Sequence, residues 1–204
     1  MKSKVTNPPT LIFMTGNYHK LQEVRSILGN KVEVESSQIH GFKRQVEETG
    51  TSFEENAKIK VEAFLHWKDE PMVMAEDSGL IVDALNGAPG LFTARYAGEN
   101  ASADDNMDLL LKNLEGQENR SARFKAVICL WHQSNWHYFE GILEGRIARE
   151  KKGDGGFGYD PIFIPKDQKN SLAELGEHWK DKNSHRALAV QAMNDYLFSS
   201  LAGH

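Results

Sequence analysis

The chain has 204 residues, 40% of them hydrophobic and 26% charged, which is enough for one ordinary globular domain with a sizeable core. Its formal net charge of -5 argues against a general electrostatic grip on a nucleic-acid polymer, which needs a basic stripe. The single cysteine, Cys129, excludes an internal disulfide, and its apolar neighbours predict core packing in a reducing compartment.

The N-terminal region contains one short apolar run. Lys2 and Lys4 precede only four apolar residues, Leu11 to Met14. Such a run is too short for a secretory signal or a membrane span, so we expect a cytoplasmic protein with no membrane partner. Starting from Thr10, the same run predicts a buried strand.

The next elements follow from hydrophobic periodicity. Leu21, Val24 and Leu28 fall on one face of a helix that Gly29 ends, and residues 31–35 alternate as a strand. These elements indicate an α/β protein in which strands and helices alternate.

A second helix begins at a capping signal. Ser52 and Glu55 have the spacing of a capping box, which opens a helix to about Trp67. The residues expected to face inward are Ala57, Val61, Phe64 and Leu65.

An acidic segment, Glu76-Asp77-Ser78-Gly79, separates the apolar runs 72–75 and 80–82. We expect the buried strand to end there. Carboxylates at that position cost free energy unless a cation or several hydrogen bonds compensate them, which indicates a bound metal. The alternative is a solvated corner in which Asp77 caps the next turn. These residues alone leave both interpretations open.

The second half of the chain predicts a helix, a hairpin and a last helix. Ser102 and Asp105 begin the first of these, and residues 122–131 and 136–143 form the hairpin around a turn at 132–135. Ser184 caps the last helix. The residues of that helix expected to be buried are Leu188, Ala192, Met193, Tyr196 and Leu197.

Three polar or glycine-rich segments lie at element ends, where ligand sites gather in α/β folds. The segment 15–20 has the layout of an anion cradle at a helix N-terminus, with Lys20 adding a charge. Ordinary capping with a surface lysine has the same pattern.

The second segment is the loop 152–161. Its Phe157 can stack on a flat base and its Asp160 can accept hydrogen bonds from base N–H groups. The alternative is a connection whose aromatic rings pack in the core.

The third segment, 180–186, is predicted to open the last helix. His185 and Arg186 are electrostatically disfavoured at a helix N-terminus unless an anion or carbonyl partner arrives. The alternative is a solvated, capped helix start.

Together these motifs resemble the inosine triphosphate pyrophosphatase family from about Leu11 to Leu197. The motifs that carry the resemblance are Thr15-Gly16-Asn17 with Lys20, Glu47-Glu48-Thr49-Gly50, Phe53-Glu54-Glu55-Asn56-Ala57 with Lys60, Ala75-Glu76-Asp77-Ser78-Gly79-Leu80, Gly87-Ala88-Pro89-Gly90, Ala94-Arg95-Tyr96-Ala97-Gly98-Glu99, Gly155-Gly156-Phe157-Gly158-Tyr159-Asp160-Pro161 and Ser184-His185-Arg186.

The resemblance implies a single α/β domain over residues 1–204, with an elongated mixed central sheet, flanking helices and two lobes that enclose a nucleotide cleft. It also implies a homodimer. The implied reaction converts non-standard purine nucleoside triphosphates (ITP, dITP and XTP) and water to the monophosphate and pyrophosphate, with Mg²⁺ as cofactor.

The resemblance assigns roles residue by residue. Asp77 and Lys20 are the expected catalytic residues, and Asp77 and Glu47 are the expected metal ligands. The expected substrate-binding residues are Thr15, Gly16, Asn17, Tyr18, His19, Lys20, Lys60, Ser78, Phe157, Gly158, Tyr159, Asp160, Lys180, His185 and Arg186. Selectivity is expected from donors such as Arg186, which bond the 6-keto group of hypoxanthine or xanthine and face a 6-amino donor in adenine.

The same motifs disfavour two other functions. A Maf-type nucleotide pyrophosphatase is disfavoured by the Phe157 loop and by Ser184-His185-Arg186. A non-catalytic purine-nucleotide binding module is disfavoured by the intact Asp77 and Lys20.

Overall fold

The computed structural model describes residues 8–201, so the expectation placed on Lys2 and Lys4 lies outside the described residues. The strands are β1 (Thr10–Phe13), β2 (Glu33–Ser36), β3 (Met72–Val82), β4 (Ser121–His132), β5 (Asn135–Ile147) and β6 (Phe163–Pro165). The helices are α1 (Tyr18–Leu28), α2 (Phe53–Leu65), α3 (Ala103–Asn113), α4 (Leu172–Leu175), α5 (Glu177–Asn183) and α6 (His185–Leu201). Short 3-10 turns lie at Gly29–Lys31, Asp83–Leu85, Gly90–Arg95 and Asp160–Ile162.

The strands form one six-stranded sheet in the order β2-β1-β3-β4-β5-β6. β1 runs parallel to both β2 and β3, whereas the other neighbours are antiparallel. The expected mixed α/β sheet with flanking helices is therefore confirmed. The division into two lobes stays a prediction.

The long strand β3 corrects the expectation that a strand ends at Glu76. All 11 residues of β3 pair with β4, from Met72 opposite His132 to Val82 opposite Ala122. Successive side chains of a strand point to opposite faces, so Glu76 and Asp77 face opposite sides of the sheet. The strand continues because other parts of the chain supply partners for both carboxylates.

The helix signals near the N-terminus are confirmed with one difference. Leu21, Val24 and Leu28 are buried on α1, which Gly29 ends at a φ of 58°. Ser52 caps α2, but the carboxylate of Glu55 accepts a hydrogen bond from the Thr51 amide, so the expected capping box is incomplete.

The third helix and the hairpin also form as expected. Ser102 and Asp105 make both bonds of a capping box at the start of α3. β4 and β5 pair up to His132 opposite Asn135, and the two turn residues Gln133 and Ser134 both have positive φ. This backbone matches the twist of a two-residue hairpin.

The last helix presents a different face from the one expected. Met193 and Leu197 are buried and Tyr196 is partly buried, but Leu188 and Ala192 are exposed. Ala189 and Val190 take their place in the core. The segment 180–183 ends α5, and Ser184 then begins α6 by accepting a hydrogen bond from the Ala187 amide at 3.1 Å.

Apolar cores cover both faces of the sheet. α1 and α6 pack on one face, whereas α2 packs on the other with Cys129 among its neighbours. Burial raises the pKa of the Cys129 thiol to about 12, which confirms its expected role as a core residue. Within residues 8–201, no helix combines the length and the apolar character needed to cross a bilayer.

Candidate functional site

Two adjoining cavities form one crevice beside the middle of β3. The larger, of about 780 Å³, lies between the acidic segment 47–49, the start of α1 and Lys60. The smaller, of about 230 Å³, lies between α1, the loop 157–160 and the start of α6. Ala94 lines both cavities. The separate polar segments of the sequence therefore converge on one place.

The start of α1 forms an anion seat. Asn17 caps the helix by accepting a hydrogen bond from the Lys20 amide at 3.2 Å. The Lys20 ammonium donates to the Ser78 hydroxyl at 3.0 Å and lies 3.5 Å from the Glu76 carboxylate. Burial lowers the pKa of Lys20, and Glu76 opposes that shift. A helix N-terminus with a fixed lysine favours a bound phosphate group.

Asp77 lies on the opposite face of β3, between an amide and an ammonium group. Its Oδ2 accepts from the Asn56 side chain at 3.2 Å, and its Oδ1 lies 3.5 Å from Lys60 Nζ. Burial raises the pKa of Asp77, Lys60 opposes the shift and Glu48 adds to it. The Asp77 carboxylate is thus short of positive charge where it lies.

Glu48, the neighbour of the expected ligand Glu47, shares Lys60 with Asp77. The Lys60 ammonium donates to Glu48 Oε1 at 3.0 Å and to the backbone oxygen of Glu76 at 2.9 Å. Glu47 is exposed on the wall of the larger cavity.

The carboxylates of Asp77 and Glu48 fit the donor set of a magnesium site. Within residues 8–201, no cluster of three or more histidine, cysteine or acidic side chains is placed to hold a metal. Mg²⁺ needs only one or two carboxylates, because waters and substrate phosphates complete its shell. Asp77 and Glu48 supply hard oxygen donors that share one ammonium group, that of Lys60.

Phe157 forms a ring slot at the smaller cavity. The His19 ring stacks on it with 5.3 Å between centroids and 16° between planes. The Lys180 ammonium lies 4.7 Å from the centroid, and the Arg186 guanidinium lies 5.8 Å from it. The ring is thus held among flat or cationic groups.

Asp160 shapes the loop that carries Phe157. Its Oδ2 accepts from the Phe157 amide at 3.0 Å and from the Lys180 ammonium at 3.0 Å. Gly156 has a φ of 76°, and a Cβ there would lie 2.1 Å from Asp160 Oδ2. In the structure, Oδ2 of Asp160 therefore stabilises the loop. The contact with the base edge that the sequence predicts for this carboxylate stays a prediction.

Arg186 lies inside a buried ionic network. Its Nε and Nη2 donate to the two oxygens of Glu76 at 2.6 and 3.0 Å, and its Nη1 donates to Glu23. Glu23 also lies 3.1 Å from Lys180 Nζ. Sequence reasoning missed Glu23, because Leu21, Val24 and Leu28 mark a different face of α1 and the partners that bury Glu23 are distant in the chain.

His185 is a neutral group on the wall of the smaller cavity. Its ring stacks on Phe124 at 4.8 Å and 13°, and its Nδ1 has no hydrogen-bond partner among the described residues. Burial, followed by the charge of Arg186, lowers the pKa of His185 well below its ordinary value of 6.5. A neutral imidazole with a free ring nitrogen can recognise a polar base edge.

The lowered pKa of His185 predicts how stability changes with pH. The unfolded chain takes up a proton near pH 6.5 that the folded chain refuses, so stability falls as the pH drops below that value. His185→Phe should reduce this pH dependence by up to about 1.4 kcal/mol per pH unit, because one titrating group is removed. Urea unfolding at several pH values between 5 and 8 measures it; parallel curves for both proteins would contradict the prediction.

Most of the expected site residues line the crevice. Those on its walls are Thr15, Gly16, Asn17, Lys20, Glu47, Lys60, Ser78, Phe157, Gly158, Tyr159, Asp160, Lys180, His185 and Arg186. Asp77 does not line the crevice but forms an ion pair with Lys60, which does. His19 likewise stacks on Phe157, which lines the smaller cavity. Tyr18 is on neither wall and is 68% exposed.

An α/β fold in which a ring slot, an anion seat and an acidic segment line adjoining cavities is the arrangement expected of a nucleotide-binding protein. The Ham1 family matches residues 11–196, and the chain belongs to that family.

Similar proteins match this chain over nearly its whole length and over nearly their own. A protein of Porphyromonas gingivalis named dITP/XTP pyrophosphatase is 46% identical, over 92% of this chain and 96% of the relative. One of Thermoanaerobacter pseudethanolicus with the same name is 44% identical, over 94% and 98%. The solved Staphylococcus aureus Ham1 protein superimposes with a TM-score of 0.86 at 36% identity, over 94% of this chain and 99% of that one.

Proposed function

We propose that this protein hydrolyses non-standard purine nucleoside triphosphates, namely ITP, dITP and XTP, to the monophosphate and pyrophosphate. One observation carries the proposal: the cavity lined by Glu48 and Lys60 adjoins the cavity lined by Lys20 and Phe157, and Asp77 lies 3.5 Å from Lys60 Nζ. The names of the two relatives support the same substrates.

The residues of the crevice divide the chemistry between them. The start of α1, Lys20 and Lys60 bind the triphosphate and neutralise the leaving pyrophosphate. Asp77, 3.5 Å from Lys60 Nζ, aligns and deprotonates the attacking water. Asp77 and Glu48 would hold Mg²⁺, which when bound withdraws charge from the attacked phosphorus.

Base selection follows from polar groups at the smaller cavity. The unpartnered nitrogen of His185 and the cations Lys180 and Arg186 surround the ring slot. A 6-keto group can accept a hydrogen bond from such donors, whereas the 6-amino group of adenine is itself a donor and faces them unfavourably. Guanine also has a 6-keto group, so its rejection must come from its 2-amino group. Sites of this kind discriminate by a factor of about 10⁴ or more.

A matched pair of variants tests which glutamate serves the metal. Glu48→Gln should raise the Mg²⁺ concentration needed for half-maximal activity by about tenfold or more, because it removes one of two proposed ligands. Glu47→Gln, its exposed neighbour, should leave that concentration near the wild-type value. Mg²⁺ titrations of activity, with calorimetric Mg²⁺ binding as a second readout, measure both. The reverse ranking would return the ligand role to Glu47.

The proposed function is tested by identifying products from a nucleotide panel with and without Mg²⁺. We expect ITP, dITP and XTP to yield pyrophosphate only with Mg²⁺, with ATP and GTP much poorer. Orthophosphate as the product, or equal use of ATP, would overturn the assignment. Turnover of pyrimidine triphosphates alone would favour the Maf-type alternative.

The protein is further proposed to act as a cytoplasmic homodimer with no nucleic-acid polymer or membrane as partner. The family resemblance supports the dimer, and the net charge of -5 supports the absence of a nucleic-acid partner. Light scattering of the purified protein in solution tests the oligomeric state.

A further inference from the structure

Asn56 is a buried amide with both ends of its side chain engaged. It lies in the first turns of α2 and is only 2% exposed. Its Oδ1 accepts from the Gly50 amide at 2.8 Å, and its Nδ2 donates to Asp77 Oδ2 at 3.2 Å. Because the Gly50 N–H can only donate, the carbonyl end must face Gly50 and the NH₂ end must face Asp77.

The two bonds of Asn56 join the two halves of the acidic site. Gly50 ends the segment that carries Glu48, whereas Asp77 belongs to β3. A Cβ on Gly50 would lie 2.7 Å from Asn56 Oδ1, so the close approach requires glycine at this position. One side chain thus fixes the distance between the loop and the strand.

The amide also decides which oxygen of Asp77 is available. Asn56 occupies Oδ2, and Oδ1 faces Lys60, which lines the larger cavity. A rotation of the carboxylate would break the Asn56 bond. The orientation of the proposed base is therefore set by a residue that does not itself line either cavity.

We propose that Asn56 is a positioning residue for hydrolysis, which holds Asp77 in its reactive orientation and holds the Glu48 segment beside it. This inference rests on the proposed function. A misplacement of about 1 Å at a reacting group lowers the rate roughly 100-fold. The effect should fall mainly on kcat, because the start of α1 with Lys20 and the ring slot at Phe157 take no part in the two Asn56 bonds.

Two Asn56 variants and one matched control separate positioning from folding. Asn56→Ala removes both bonds, whereas Asn56→Asp keeps an acceptor for Gly50, removes the donor to Asp77 and places a second carboxylate against Asp77 Oδ2. The control is Asn106→Ala, since Asn106 is 3% exposed and also makes two bonds, from the Ala97 amide at 2.7 Å and to the Ala94 oxygen at 3.3 Å. Those bonds hold the wall of the smaller cavity.

Steady-state kinetics with ITP and thermal unfolding are measured for all four proteins. Both Asn56 variants should lose kcat about 100-fold with KM changed less than about threefold. Asn106→Ala should lower the melting temperature as Asn56→Ala does, yet raise KM and retain most of kcat. If Asn56→Ala does not fold, Asn56→Asp gives the decisive kinetics.

The outcomes are distinct. A folded Asn56 variant with kcat near the wild-type value, or with its loss in KM, overturns the positioning role while the proposed function stands. A wild-type protein that releases no pyrophosphate from ITP overturns both.

Discussion

Replacing Asp77 with asparagine should lower kcat for ITP hydrolysis by roughly 10³-fold or more, because the amide can neither deprotonate water nor serve a cation as a carboxylate does. KM for ITP should change little, since Lys20, Phe157 and Lys180 are untouched. Steady-state kinetics at saturating Mg²⁺ measure both constants. A variant with more than a tenth of the wild-type kcat would remove Asp77 from the mechanism.

The same substitution should not destabilise the metal-free protein. The pKa of Asp77 is raised in the fold by burial, so the charged carboxylate is less favourable there than in the unfolded chain at neutral pH. An amide of the same shape carries no charge to desolvate. We therefore expect a melting temperature at or above the wild-type value when no metal is present. Added Mg²⁺ should stabilise the wild type more than the variant.

The adjacent residue gives the matched control. Glu76→Gln makes the same chemical change on the opposite face of β3, where the carboxylate accepts two hydrogen bonds from Arg186. Positive partners lower the pKa of Glu76 despite its burial, so its charge stabilises the fold. Glu76→Gln should lower the melting temperature clearly. Equal melting temperatures for Asp77→Asn and Glu76→Gln would contradict this division between the faces.

Elements governed by local signals could be predicted from the sequence. The apolar periodicity of α1, the Ser102 cap of α3 and the two-residue hairpin turn each depend on residues a few positions apart. The motifs of the crevice were ambiguous one by one and indicated a function only together. Those local features depend on interactions between residues that are close in the sequence, so the sequence alone indicates them.

Elements governed by distant partners could not be predicted. The continuation of β3 beyond Glu76 depends on the partner Arg186, which is 110 positions away in the chain. The orientation of α6 follows from packing against α1 and the sheet, which buries Ala189 in place of Leu188. The sequence also pointed to Glu47, whereas proximity to Lys60 and Asp77 favours Glu48. Only the tertiary structure shows which of two adjacent carboxylates faces a partner.

Replacing Arg186 with leucine should lower the free energy of unfolding by about 3–5 kcal/mol, because it leaves buried carboxylates without their main partner. Glu76 and Glu23 both lose hydrogen bonds from this guanidinium. Arg186→Lys should recover only part of the loss, since one ammonium group cannot reproduce the bidentate bond to Glu76. Urea unfolding at pH 7 measures all three proteins. A leucine variant as stable as the wild type would show that the network contributes little.

The network should nevertheless matter more for the site than for stability. Replacing whole buried ion networks with apolar residues is often neutral or stabilising. A triple variant with Glu23→Leu, Glu76→Leu and Arg186→Met should therefore recover much of the stability lost in Arg186→Leu. It should still bind ITP poorly, because it lacks the Arg186 guanidinium at the ring slot and lacks Glu76, whose carboxylate lies 3.5 Å from the Lys20 ammonium in the native protein. Recovered stability with a normal KM would mean that the buried charges do not position Lys20.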